Sequence, residues 1–337
     1  MGAQSELMDH GSDSSDATYT VVRAKKGLFG SSNIGFLAAN RIYGTDNQGS
    51  AGMDATLFFS ETLGATAQFV RAHGPLHDGA TAWFLRPAFD NATSHFHVRY
   101  SHWDEGLLEN MNVVGFIRDD NRREFDTNLS HTLWMQEGAV EEVDARVNYN
   151  HYWSQAGVLR SWELDAKCDV TFTNKWEIEL SHNDEFKRYE KDFRNRETKV
   201  ELGYDSRAGR SAKISFGLGR NYESDLRRFG THTTLKVTDA WNASYSLTRL
   251  WLDPDPETEG TWIHVLRSSY YINKDFYLKL FYQINSVIDK HNVQAVLAWR
   301  FLPPFGSLQI AYQRGTSRFG TSSDQGNSLF TKLSWVF

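Results

Sequence analysis

Ser161-Trp162-Glu163-Leu164-Asp165-Ala166-Lys167-Cys168-Asp169-Val170-Thr171-Phe172-Thr173 changes between polar and apolar at every step. Successive side chains of a strand point to opposite faces, so Trp162, Leu164, Ala166, Cys168, Val170 and Phe172 share one side. Glu163, Asp165, Lys167 and Asp169 share the other. The run is about twice the usual strand length of roughly 5–6 residues, too long for most soluble sandwiches. One oily face and one charged face over such a length predict a strand of a membrane-spanning barrel, with lipid outside and water inside.

The pattern recurs along the chain. Strand-length segments are expected at 18–27, 33–43, 53–63, 65–73, 80–90 and 95–103, then at 125–135, 141–153, 159–173, 175–186, 197–205 and 212–222. A last set is expected at 229–238, 242–252, 262–271, 276–286, 292–301, 307–318 and 328–337. Val143, Ala145, Val147 and Tyr149 oppose Glu142, Asp144, Arg146 and Asn148; Val200, Leu202 and Tyr204 oppose Lys199, Glu201 and Asp205. Each apolar face is suited to lipid or to a second sheet, and strand length favours lipid. The fold expected is all-β: a large antiparallel transmembrane barrel of outer-membrane type, about 18–20 strands, incomplete at its N-terminal side. Residues 1–16, acidic and Ser-rich, read as a disordered lead-in, and 17–337 as the barrel.

Turn lengths alternate as well. Short turns are expected at Leu63–Ala65, Thr173–Lys175, Ser206–Arg210 and Asn273–Asp275. Longer polar connections are expected at Gly44–Gly52, His182–Arg196, Asn221–Phe229, Asp253–Gly260 and Arg318–Asn327. Short loops on one rim and long ones on the other are typical of bacterial outer-membrane barrels.

Composition narrows the classes. Of 337 residues, 22 are Phe, 14 Tyr and 11 Trp against 6 Pro, which fits long strands with many interfacial rings. No apolar run approaches the roughly 18 residues of a spanning helix, and low mean hydropathy is normal where only alternate residues face lipid. A net charge of -6 argues against a nucleic-acid partner. The single cysteine, Cys168, excludes an internal disulfide and reads as a small apolar-face residue. Met1–Ala17 has neither the basic nor the apolar segment of a secretory signal, so an exported chain of this sequence is expected to be a mature fragment or an incomplete reading frame. At the end of the chain Leu333, Trp335 and Phe337 alternate, resembling the signal by which the outer-membrane insertion machinery recognises barrels; Lys332 stands where a small residue is usual.

Several segments resemble the C-terminal barrel region of the DUF5916 family. They are Val21-Val22-Arg23 with Ile34-Gly35, Gly52 with Asp54, Val114-Gly115-Phe116-Ile117-Arg118 with Asp120 and Arg122, Phe276 to Gln283, and Ala298-Trp299-Arg300-Phe301. The resemblance implies a bacterial outer-membrane barrel. The family often carries an N-terminal family-9-type carbohydrate-binding domain, to which nothing before Val21 corresponds. It supplies no catalytic residues to transfer.

Candidate chemistry is sparse. His95 and His97 have a ligand-like spacing without an identifiable third ligand, and Asp253-Pro254-Asp255-Pro256-Glu257 reads as a stiff turn more readily than a calcium loop. Ser181-His182-Asn183-Asp184-Glu185 holds hydrolytic residue types without any implied geometry. Asn91-Ala92-Thr93 matches a glycosylation sequon and a turn equally well. Trp103–Arg123 is too apolar for a free loop, so it is expected to fold into the lumen or form a short helix or hairpin at the rim. Asp119, Asp120, Arg122 and Arg123 beside it are the candidate lumen or gating residues. No enzyme activity, cofactor or metal is expected. The expected function is passage of a polar solute, carbohydrate-related, with membrane lipid as partner. A membrane anchor for a carbohydrate-binding domain is the alternative, and an outer-membrane hydrolase ranks third.

Overall fold

The computed structural model describes residues 16–255, 260–287, 290–315 and 326–336. It is almost wholly antiparallel β, 74% strand and 2% helix. Two units partition the chain: Met1–Leu129 with Tyr149–Trp162, and Ser130–Asn148 with Glu163–Phe337.

The first unit begins with β1 (Thr18–Gly27), β2 (Asn33–Tyr43), β3 (Asp46–Phe58), β4 (Leu63–His73), β5 (Thr81–Asp90) and β6 (Ser94–Trp103). Each pairs antiparallel with the next in the chain. A single helix, α1 (Leu107–Met111), follows, and then β7 (Arg122–Trp134), β8 (Val140–Trp153) and β9 (Leu159–Phe172), which contribute to both units.

The second unit continues with β10 (Trp176–Arg188), β11 (Asp192–Asp205), β12 (Arg210–Asn221), β13 (Ser224–Lys236) and β14 (Trp241–Asp253). It ends with β15 (Thr261–Asn273), β16 (Phe276–Asn285), β17 (Lys290–Leu302), β18 (Gly306–Gly315) and β19 (Gly326–Trp335). Again every register joins chain neighbours.

The nineteen strands match the nineteen expected segments one for one, with three extensions. The polar stretches Gly44–Gly52, His182–Arg196 and Asn221–Phe229 are not long loops. They are mostly strand, closed by tight turns at Gly44-Thr45, Tyr189–Lys191 and Tyr222-Glu223. Ladder pairing continues to Tyr43↔Asp46, Arg188↔Asp192 and Asn221↔Ser224 although polar residues now interrupt the apolar face. Hydropathy alternation vanishes there while backbone hydrogen bonding does not, which is why the sequence reads as loop. Gly44 and Tyr222 take positive φ, 57° and 54°, to reverse the chain so tightly. The turn expected at Leu63–Ala65 lies earlier, at Phe59–Thr62, where the Ser60 hydroxyl accepts from the amides of Thr62 (3.2 Å) and Leu63 (3.0 Å).

Burial runs opposite to that of a water-soluble domain. Among the described residues the buried apolar side chains are Ala72, Leu107, Leu226 and Ala298, whereas Glu124, Asp126, Asn110 and Asn195 are also buried. On β11, Val200 is 51% and Leu202 42% exposed, while the Glu201 side chain between them is 17% exposed. The apolar face is the open one.

Tryptophans mark strand ends in both units. Trp103, Trp134 and Trp153 close β6, β7 and β8, Trp176 and Trp241 open β10 and β14, and Trp335 closes β19. Leu333 and Trp335 share the apolar face of β19; Phe337, the third residue of the expected insertion signal, lies outside the described residues.

Candidate functional site: the charged face and the helix packed on it

In the first unit a continuous polar chain runs along β5, β6 and β7. Side chains at alternate positions of each strand, placed level by the β5–β6 register, bring it together. Asp90 bonds His95 Nδ1; His95 Nε2 lies 2.8 Å from His97 Nδ1, to which Arg86 Nη2 also donates at 3.0 Å. His97 Nε2 reaches Asp126 at 3.3 Å. Arg99 Nη2 then spans Asp126 (3.4 Å) and Glu124 (2.6 Å), and Arg122 Nη2 stands 3.8 Å from Glu124. The guanidinium of Arg122 packs on the rings of Trp103 (4.9 Å) and Tyr152 (5.4 Å). Buried carboxylates such as Glu124 and Asp126 persist only where cations and hydrogen bonds replace their water. The His95–His97 pair is thus tied to carboxylates and arginines. Among the described residues no group of three or more His, Cys, Asp or Glu is arranged to hold a metal ion.

The second unit carries a cross-strand ladder of alternating sign. Lys167 on β9 pairs with Asp169 (3.0 Å) and with Glu179 on β10 (2.9 Å). Glu179 also takes Lys199 of β11 (2.9 Å), which lies 3.6 Å from Glu201; Lys213 of β12 joins Glu201 (3.2 Å) to Glu177 (3.3 Å). Asn183 donates to Glu163 (2.9 Å) and Asp165 (2.7 Å). These are the charged residues that alternate with Trp162–Phe172 and Val200–Tyr204.

The greasy segment after β6 forms a helix, as one of the expected alternatives had it. Helix α1 packs on β3 and β4. Leu107 and Asn110 are fully buried, and the Asn110 amide donates to the carbonyl of Leu76. A Cβ on Gly74 would stand 2.1 Å from Asn110 Oδ1, so this approach requires glycine there. Gly74 follows Ala72 at the strand's alternate spacing, on the face opposite Phe69, which places the helix on the polar side of the strands.

Three of the four candidate gating residues, Asp119, Asp120 and Arg123, tie this segment or its exit to neighbouring elements. Asp120 Oδ2 accepts the Leu108 amide (2.8 Å), satisfying a free N–H of the first helical turn. Asp119 pairs with Arg160 (2.8 Å). Arg123 donates to the carbonyls of Ser154 (3.2 Å) and Gln155 (3.1 Å) and packs on Trp153. Arg122 alone of the four joins the charged chain. Sequence reasoning missed Arg86, Arg99, Glu124 and Asp126 as a group, because their proximity depends on strand register; the alternate spacing of Arg99 with His95 and His97 on β6 was the available signal.

Asp104 fixes the start of the segment. It accepts from the Thr81 amide (2.8 Å), the Thr81 hydroxyl (2.7 Å) and His102 Nε2 (2.8 Å). Burial pushes its carboxyl upward, but hydrogen bonds from the Thr81 hydroxyl, His102 and the Thr81 amide outweigh this and hold it below the ordinary aspartate value. A depressed folded value means the contribution is present above the unfolded value and is lost as pH falls through the folded one. Hydrogen-exchange protection at Thr81 is therefore expected to survive mild acid and to disappear below the ordinary aspartate range; Asp104→Asn should remove that pH step.

The other candidates resolve into structure. Ser181 and His182 project to opposite faces of β10, and His182 bonds Thr198 (2.8 Å). Asn91 Oδ1 accepts from the amides of Thr93 (2.9 Å) and Ser94 (2.7 Å), a side-chain-closed turn. Asp255 Oδ2 accepts the Gly260 amide (2.9 Å), and Pro256 and Glu257 lie outside the described residues.

No protein-family model and no curated protein matches this chain. The arrangement itself therefore carries the functional reading. It is a sheet face of cross-paired charges and hydrogen-bonding groups.

Proposed function

We propose that the strands close into a bacterial outer-membrane β-barrel, the apolar face against lipid and the charged face around a water-filled lumen that passes a polar solute of the carbohydrate class. The observation that carries this is the inverted burial on β11 and its neighbours, where Val200, Leu202, Ile214 and Phe216 are more exposed than the charges between them. Fully exposing such a side chain forfeits roughly 1.5–3 kcal/mol, and a half-exposed one about half of that. Ten of them would offset most of the stability of an ordinary domain, about 5–15 kcal/mol. Hydrocarbon removes that cost.

The strand-end tryptophans fit interfacial girdles, and Leu333, Trp335 and Phe337 fit recognition by the insertion machinery. The resemblance to the DUF5916 barrel region belongs to the same reading. A second reading, a membrane anchor for a carbohydrate-binding domain, is favoured by one feature: α1 is packed down on the polar face of β3 and β4, where it would narrow a lumen. A hydrolase has less support, since Ser181 and His182 face apart.

Detergent-purified protein in planar bilayers decides among them. Steady, discrete openings are expected for the transport barrel. An inserted but silent protein would favour the anchor, and a monomer that stays dissolved without detergent would end the membrane reading.

A further inference from the structure

Among the described residues, no acidic side chain forms an ion pair with the arginines at one corner of the apolar face. Direct registers place Leu218 opposite Arg227 and Arg227 opposite Trp251; the next row holds Phe216, Phe229, Arg249 and Trp262. Residues directly opposite share a face, so both arginines stand among side chains of the open apolar side. The Arg249 guanidinium lies 4.1 Å from the Trp262 ring centre and 5.1 Å from that of Trp251, and its Nε is buried with no hydrogen-bond partner. Among the described residues neither Arg227 nor Arg249 forms an ion pair.

Carboxylates come one step further along. Asp225 and Asp253 oppose each other two residues beyond Arg227 and Trp251, and with these and Phe216 they line one depression. Arg220 stands opposite Asp225. Moving outward along the strands, the order is apolar, then cationic, then anionic. A phospholipid with an ammonium headgroup presents the complementary order: acyl chain, phosphate, amine.

We propose that this corner binds a zwitterionic aminophospholipid of the phosphatidylethanolamine class, the phosphate on Arg227 and Arg249 and the ammonium on Asp225 and Asp253. Guanidinium–phosphate hydrogen bonds are charge-assisted, and the tryptophan rings hold Arg249 extended while stacking on the glycerol region. The site rests on the apolar face meeting lipid. Two carboxylates in the path of the headgroup make a purely anionic lipid the poorer ligand.

The test uses the full chain folded into vesicles, extracted in mild detergent and examined by native mass spectrometry. Palmitoyl-oleoyl phosphatidylethanolamine and phosphatidylglycerol are supplied in equal amounts. Wild type is expected to retain phosphatidylethanolamine with roughly tenfold preference. Arg227→Gln with Arg249→Gln should lose most retention of both lipids. Asp225→Asn with Asp253→Asn should keep retention and reverse the preference, which a loss of folding would not do. Heat-modifiable migration on a gel reports folding of each variant. Insertion without retention, equal retention of both lipids, or unchanged retention in the arginine variant would overturn the site alone. A chain that never enters vesicles would overturn both the site and the membrane reading.

Discussion

Val200→Arg on β11 is expected to destabilise the folded protein in lipid by about 2–4 kcal/mol, the cost of an arginine on the lipid face near mid-membrane. Val200 stands opposite Leu180 on β10 and Phe216 on β12, both about as exposed as itself, so the new charge would have apolar neighbours on either side. Were this face bathed in water, the same change at a half-exposed site would fall within about 0.5 kcal/mol. Urea titration of the protein in vesicles, followed by tryptophan fluorescence, separates the two. Glu201→Gln, one residue away on the charged face, is expected to cost less, because Lys199 and Lys213 keep other carboxylate partners.

Leu107→Ala should act on α1 and leave the strands intact. Truncating a fully buried leucine costs about 2–5 kcal/mol where the site does not collapse. A five-residue helix has little propensity of its own to resist that loss. Residues 104–121 are expected to exchange amide hydrogens far faster, while β3 and β4 remain protected. If α1 narrows a lumen, single-channel conductance should rise with the same substitution. Faster exchange with unchanged conductance would make α1 a rim ornament and remove it from the transport path.

Much of the strand framework was legible because an apolar–polar alternation is a direct statement of which face a side chain occupies. Ser161–Thr173 fixes β9 almost to the residue. The failures share a cause. Where β11 starts at Asp192, ahead of the expected 197, the outward residues Asp192, Arg194 and Arg196 are polar, and Arg194 pairs with Asp184 of β10 across the hairpin at 2.7 Å. Such pairing stabilises a strand without leaving a hydropathy signature. The charged chain from Asp90 to Arg122 was hidden for a different reason: its members come from three strands, and only register makes them neighbours. The helix was legible in part, since the apolar content of Leu107–Ile117 required shelter, but not the surface that shelters it.

Among the described residues of each unit, the paired strands are immediate neighbours in the chain, joined antiparallel without a crossover. A hairpin is then a self-contained module: excising or duplicating one, for instance β12 with β13, re-joins a descending strand to an ascending one without re-threading the rest. A sheet of this kind can gain or shed width in steps of two strands, so relatives with different strand numbers can arise by simple repeat copying rather than by redesign.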